Sequence, residues 1–194
     1  LVYPPRCVGC HRWGSWLCDA CVEAIPPLSP PLCRRCGTPL DAGTLCRACH
    51  NTHSYCDGIR SAAPHVSPLR DAVHALKYEG MHVLVDPLAQ ILAQCWQASQ
   101  RESAEARNVS AILPVPLNPA RVRRRGYNQS ALLAGALAQR IDLTYREDWL
   151  IRVRNTPSQV GLQPQERWDN VRRAFRCREN AVAGMSLLLV DDVM

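Results

Sequence analysis

Ser186-Leu187-Leu188-Leu189-Val190-Asp191-Asp192-Val193-Met194 closes the sequence with four apolar residues that run straight into two adjacent acids. A short continuous apolar run reads as a strand buried on both faces, as in a parallel sheet covered by helices. In open α/β sheets ligands gather at the carboxyl ends of the strands. Asp191 and Asp192 are therefore placed to hold a ribose diol or to meet a Mg2+ carried by a phosphate. An acid pair after a buried strand also serves as a plain helix cap, and the residues by themselves favour that reading. The loop expected after such a strand would lie beyond Met194, so the C-terminus reads as truncated.

Working back from that strand, residues 111–115 read as a second buried strand. It ends in a proline-stiffened loop over 114–119 that contains Pro114, Val115 and Pro116. Next comes Arg121-Val-Arg-Arg-Arg-Gly-Tyr-Asn-Gln-Ser130, the most basic point of the chain. Residues 131–141 continue as an amphipathic helix with Leu132, Leu133, Ala136, Leu137 and Ile141 on one face. A strand end, a guanidinium cluster, a glycine and a helix start make a ready anion site, because backbone amides and the helix dipole both favour negative charge there. A solvated basic turn is the plain alternative, and charge alone does not choose between them.

Further outward, residues 149–153 read as a strand and 59–63 as an edge strand. Helices are expected over 68–78, with Leu69, Val73 and Leu76 inward and Glu79-Gly80 as the stop, and over 83–97. The longer helix has Leu84, Leu88, Ile91, Leu92, Cys95 and Trp96 on its apolar face. His74 reads as a surface or packing residue and 100–108 as a polar loop.

The first 56 residues are of a different kind. Four Cys-x-x-Cys units, Cys7/Cys10, Cys18/Cys21, Cys33/Cys36 and Cys46/Cys49, sit among repeated Pro-Pro pairs and scattered apolar residues. A segment this short and core-poor needs a staple. Two thiolates from one tight turn reach one metal, and two such turns complete a tetrahedral four-cysteine zinc site. Sequential pairing is the simple arrangement, an interleaved cross-brace satisfies the same spacing, and His11, His50 or His53 can replace a sulfur. With every ligand supplied by protein, two zinc ions here are structural. Cys56, Cys95 and Cys177 stand apart and read as small buried hydrophobes.

The 194 residues suit one α/β domain at 57–194 and a small appendage at 1–56. The net charge of +6 is almost wholly arginine, because Lys77 is the only lysine. Arginine's planar fork favours phosphate and carboxylate recognition. No apolar run approaches the roughly 18 residues that cross a bilayer, so no membrane insertion is expected. The start lacks both a signal peptide and an initiator Met and reads as trimmed. Paired cysteines that bind metal point to a cytoplasmic location.

The motifs taken in order, four Cys-x-x-Cys units, Leu-Lys77-Tyr, Pro114-Val-Pro-Leu, Arg125-Gly-Tyr-Asn-Gln-Ser130, Gln159 with Arg167 and Asn170 ahead of Ala174-Phe175, and Val190-Asp-Asp-Val, resemble the ComF family (ComFC- and GntX-like proteins) along essentially the whole chain. The resemblance implies a double zinc ribbon fused to a type I phosphoribosyltransferase-like parallel sheet flanked by helices. It implies binding of phosphoribosyl pyrophosphate (PRPP) with Mg2+, Asp191 and Asp192 contacting the ribose hydroxyls. The loop after Val115 would lie near the pyrophosphate with Arg121, Arg124 and Arg125 as charge partners, next to Gly126, Asn128 and Gln129. Residues 154–176, with Arg167, would form the mobile loop that closes over the reaction. A link to DNA uptake in competence, or to nucleotide metabolism, comes from the same resemblance. Without the phosphate-cradling loop that succeeds the acids in such proteins, the 194-residue form is expected to lack transferase activity alone. The competing readings are a single-stranded DNA-binding module using Trp13, Trp16 and Tyr127, and a zinc module that only docks a partner such as a DNA-uptake protein.

Overall fold

The computed structural model describes residues 4–51, 55–102, 106, 108–156, 161, 163–178 and 182–193, with the backbone alone at 102, 164, 165, 167 and 168. The chain forms two compact units, Leu1–Arg107 with Val193–Met194, and Asn108–Asp192. Composition changes at residue 56, whereas contacts divide at 107.

The first unit opens with two zinc knuckles that repeat each other bond for bond. Cys7 N donates to Arg12 O and Cys33 N to Thr38 O, both at 2.8 Å. His11 N returns to Cys7 O at 2.9 Å, and Gly37 N to Cys33 O at 2.8 Å. His11 and Gly37 share the left-handed conformation, with φ of 63° and 73°, that such a tight return requires. Cys18 N donates to Cys7 Sγ and Cys46 N to Cys33 Sγ, both at 3.4 Å. Short helices α1 (Asp19–Glu23) and α2 (Arg47–Asn51) come directly after and carry the fourth cysteine of each set.

The pairing is sequential. Cys7, Cys10, Cys18 and Cys21 form one set and Cys33, Cys36, Cys46 and Cys49 the other, with the sulfurs of each set within 4.8 Å of one another. Cys7–Cys21 and Cys10–Cys18 stand 3.6 Å apart and Cys36–Cys46 3.7 Å. A tetrahedral zinc with Zn–S of about 2.3 Å sets its sulfurs about 3.8 Å apart, and a disulfide needs about 2 Å. The thiols fit zinc. Neither His11 nor His50 joins a set, and His53 lies outside the described residues. The Arg12 guanidinium brings the Cys10 thiol down to about 6, and backbone amides bring Cys33 to about 6. Burial pushes Cys21 and Cys49 up to about 12. Four thiols this close cannot all ionise without a cation among them, and metal binding displaces the remaining protons.

Glycine lets each knuckle close against a later segment of the chain. A Cβ on Gly9 would meet Pro68 Cβ at 2.6 Å, and one on Gly37 would meet Ile59 O at 2.7 Å. The second contact explains why residues 59–63 form no strand: Ile59 N bonds Arg35 O at 2.8 Å and Arg60 bonds Arg34 O at 3.0 Å, so this stretch is spent on the second knuckle. Helix α3 (Leu69–Tyr78) buries Val73 and Leu76 as its periodicity dictates, and His74 is exposed. A 3-10 turn, His82–Leu84, leads into α4 (Val85–Glu102), which buries Leu88, Ile91 and Trp96 and runs through the stretch expected to be a loop from residue 100. Polar Gln, Ser, Arg and Glu are good or neutral helix formers on a wet face, and Ser99 Oγ bonds back to Cys95 O at 2.9 Å. The isolated cysteines are not the buried hydrophobes expected: Cys56 and Cys177 are exposed and Cys95 is half-buried.

The second unit is built on a parallel sheet in the order β2 (Thr144–Tyr145), β1 (Ala111–Pro114), β5 (Leu187–Val190). Ala111 pairs with Leu187 and Pro114 with Val190. The strand buried along its whole length is β1. Among the described residues β5 is an edge strand, so of its four apolar residues only Val190 is buried and Leu189 is 48% exposed. Asn118 and Pro119 start α5 (Pro119–Arg125), so the arginine run expected as a turn is helical. Helix α6 (Gln129–Ile141) crosses all three strands and buries Leu133, Ala134, Leu137 and Ala138. Each such leucine contributes about 1.5–3 kcal/mol. Leu132, Ala136 and Ile141 are only half-buried. Strands β3 (Leu150–Arg152) and β4 (Phe175–Cys177) form an antiparallel pair, with α7 (Pro164–Val171) between them in sequence. No helix among the described residues is long and apolar enough to cross a membrane.

Metal analysis should find two zinc ions per chain, one for each set of four cysteines, and Cys33→Ser should retain one. Chelation should cost several kcal/mol of stability, since structural zinc sites contribute about 10–16 kcal/mol in isolated zinc-finger peptides. A metal-free chain that melts at the same temperature as the loaded one would refute a structural role.

Candidate functional site

The run Arg125-Gly-Tyr-Asn-Gln-Ser130 becomes an elbow between two helices. Gly126 ends α5 in the left-handed conformation, φ 88°, which a residue with a Cβ rarely adopts. Asn128 caps α6: its Oδ1 accepts from Ser130 N at 3.1 Å, and its Nδ2 donates to Val115 O at 3.1 Å. The cap therefore ties the helix start to the end of β1. Val115 N in turn donates to Val190 O at 2.9 Å, which locks the carboxyl ends of β1 and β5 together.

The next two residues reach the acids. Ser130 Oγ donates to Asp191 Oδ1 at 2.7 Å, and Asp192 N donates to the same oxygen at 2.9 Å. Gln129 Nε2 donates to Asp192 Oδ1 at 3.4 Å, while Gln129 Oε1 accepts from Arg125. Gln129 and Ser130 are 5% and 1% exposed, and burial of polar groups is tolerated because they are paired. The arrangement holds two adjacent carboxylates in fixed orientation at the mouth of a parallel sheet. It presents oxygen acceptors suited to hydroxyl donors or a hard cation.

Arg121 and Arg125 are half-buried, whereas Arg124 and Gly126 are exposed. Pro114 is fully buried, and Val115 and Pro116 are half-buried beside the acid pair's strand. Arg167 lies on α7 with only its backbone described, and Gln159 lies outside the described residues. The structure thus brings Arg125, Asn128, Gln129, Asp191 and Asp192 into one bonded array. The sequence reading missed Ser130 as a partner of Asp191, and it missed Asn118 and Arg152. Asn118 had a legible signal in the following Pro119, since an Asn-Pro pair starts helices. It is buried, accepts from Ala120 N at 2.8 Å and donates to Asn155.

Residues 1–50 match the double zinc ribbon domain family. Over its whole length the chain is 32% identical to DNA utilization protein YhgH of Salmonella typhimurium, in an alignment covering 86% of that protein. It is 29% identical to competence protein F of Haemophilus influenzae, with 97% of this chain and 84% of that one aligned. To competence protein ComFC of Bacillus subtilis it is 20% identical, over 91% of this chain and 71% of that protein. No solved structure matches. Two sequential four-cysteine knuckles joined to a parallel α/β unit, with full-length similarity to these proteins, establish that the chain belongs to the ComF family.

Proposed function

We propose that the chain is a phosphoribosyltransferase-type protein that binds PRPP with Mg2+ and acts in the handling of DNA. The observation that carries the ligand reading is the Asp191–Asp192 pair, fixed by Ser130 and Gln129 beside Arg125 at the end of a parallel strand. The relatives' names, competence protein F and DNA utilization protein YhgH, support the DNA role. In this reading Asp191 and Asp192 accept hydrogen bonds from the two ribose hydroxyls. The loop of Pro114, Val115 and Pro116 and the elbow of Gly126, Asn128 and Gln129 shape the cleft. Arg121, Arg124, Arg125 and Arg167 answer the negative charge of the pyrophosphate. Transfer breaks the bond between ribose C1 and a pyrophosphate oxygen, and the electron pair leaves with pyrophosphate. The acceptor's lone pair forms the new bond to C1 and its proton passes to solvent. Stabilising the leaving charge is the largest task, and arginine forks aimed at it perform that task in a partly desolvated site. Mg2+ bound with the diphosphate supplies charge neutralisation.

Calorimetric titration of PRPP with Mg2+ tests this. Asp191→Asn with Asp192→Asn is nearly isosteric and keeps the oxygens that Ser130 and Gln129 bond, so it should fold normally. It should weaken PRPP at least about tenfold, the cost of about 1.4 kcal/mol at 25 °C. Unchanged affinity in that variant, or no binding by the parent chain, would sink the reading.

A second reading concerns single-stranded DNA, and the observation behind it is at the first knuckle. Trp13 is 61% exposed and Trp16 42%, so they are not spent on packing the zinc site. The Arg6 guanidinium lies 5.4 Å from the Trp13 ring centre. An open hollow of about 550 Å3 is lined by Arg6, His11, Trp16 and His74, with the acids Asp71 and Glu79 on the α3 side. Exposed aromatics interleaved with cations form the stacking surface that single strands use. Trp13→Ala should cost about 1–3 kcal/mol of oligonucleotide affinity without lowering thermal stability. Affinity should fall steeply with salt. A salt-independent affinity that Trp13→Ala leaves intact would exclude this surface.

A further inference from the structure

The two zinc knuckles align residue for residue, Cys7-Val-Gly-Cys10-His-Arg12 with Cys33-Arg-Arg-Cys36-Gly-Thr38. Their shared backbone bonds fix that register, since Arg12 O and Thr38 O accept from Cys7 N and Cys33 N. At the next contact they differ. Arg12 Nε donates to Cys10 Sγ at 3.4 Å, whereas Thr38 Oγ1 stands 3.2 Å from Cys36 Sγ. With that sulfur a thiolate ligand, the hydroxyl is the donor there. The first set thus has a cationic donor on a ligand sulfur, and the second has a neutral one at the equivalent place. Arg35 and Arg60, beside the second set, donate to the carbonyl oxygens of Cys49 and Arg34 at 2.7 and 3.0 Å. The sets also differ in cover: Cys21, the fourth ligand of the first, is buried, and Cys49, the fourth of the second, is half-buried. Thiolate sulfur is the nucleophile in cysteine chemistry. A hydrogen bond between two ionised partners is stronger than one from a neutral hydroxyl, and it weakens once the sulfur gives up its charge. Reaction therefore costs more at Cys10 than at Cys36, and exposure of the sulfurs works in the same direction.

We propose that the second set, Cys33, Cys36, Cys46 and Cys49, is a thiol-modification site: a peroxide oxidises it and frees its zinc, while the first set, guarded by Arg12, keeps its own. A thiolate of the second set attacks one oxygen of hydrogen peroxide, the O–O bond breaks, and the sulfur becomes a sulfenic acid as hydroxide leaves. A neighbouring thiolate then attacks that sulfur, so that an S–S bond forms, the S–O bond breaks and a second hydroxide departs. Two thiolates are oxidised, one peroxide is reduced, and protons from solvent turn both hydroxides into water. A partner sulfur is at hand, because Cys36 and Cys46 stand 3.7 Å apart. The two thiolates that remain no longer complete a four-ligand site. The change stays local to one knuckle, since the second closes against Ile59 and the first against Pro68. It is independent of the phosphoribosyl reading.

The test treats the zinc-loaded chain with hydrogen peroxide and follows free zinc with a chromogenic chelator. Thiols left at each stage are trapped with N-ethylmaleimide after unfolding and located by peptide mass spectrometry. The parent should release zinc in two phases whose rates differ about tenfold, the effect of one stronger hydrogen bond at the reacting sulfur. The disulfide of the first phase should map to the second set, with Cys7, Cys10, Cys18 and Cys21 still alkylated. Thr38→Arg should slow the first phase, and Arg12→Thr should speed the second. Both positions are exposed, so neither substitution disturbs a core. Thr38→Arg decides the matter if Arg12→Thr loses zinc before peroxide is added, because a gain of protection is not a folding defect. A single phase, release from the first set before the second, or retention of both ions in peroxide overturns the proposal. So does a Thr38→Arg chain whose second set reacts as fast as the parent's, or a zinc-loaded Arg12→Thr chain whose first set is no faster than before.

Discussion

The hydrogen bond from Ser130 Oγ to Asp191 Oδ1, 2.7 Å long, joins the start of helix α6 to the end of strand β5. Adjacent carboxylates repel, and without donors to orient them they turn into solvent. Here the Asp192 amide and the Ser130 hydroxyl share one oxygen of Asp191, and Gln129 holds Asp192 while taking a bond from Arg125. Asn128 adds the bond that fixes α6 to the end of β1. One short elbow of sequence, from Arg125 to Ser130, thereby sets the geometry of two acids that lie some sixty residues further on. Local helix chemistry performs the long-range positioning.

The two units reach fixed geometry by different physics. In the second, a helix lies across a parallel sheet, and burial of Leu133 and Leu137 on β1 supplies the stabilisation. The first has little apolar material before residue 60, and its order comes from thiolates gathered to within 4.8 Å and from amides aimed at them. That order is conditional on metal, because the sulfurs repel once ionised. The bond-for-bond correspondence of the two knuckles has the same origin, since a tetrahedral four-thiolate site dictates the same returns wherever it is built.

Much of this was legible in the chain. The Cys-x-x-Cys spacing revealed the ligands, and the periodicity of 68–78 and 83–97 revealed two helices, because both signals are local. The zinc pairing was not legible, since sequential and interleaved folds satisfy the same spacing. Nor was the exposure of Leu189: an apolar run reads alike at the centre of a sheet and at its edge. The helix at Pro119–Arg125 was hidden by its charge, which resembles a wet turn, although Asn118-Pro119 marked its start. Short strands β2 and β4 carry too few residues for a period to emerge. Arg152 was not legible either, because its place against Phe175 is set by the pairing of β3 with β4.

Arginine's near monopoly of positive charge fits these surroundings. A lysine ammonium in the position of Arg152 would lose its strong hydration and shed its proton readily when desolvated, whereas a guanidinium stays charged and stacks on a ring. One cation, Arg125, is tied to the acid pair through Gln129, and another, Arg152, lies against Phe175. Planar, weakly hydrated cations suit such half-buried places. On the proposed reading, a ligand hydroxylic towards Asp191 and Asp192 and anionic towards Arg125 meets both kinds of group at once.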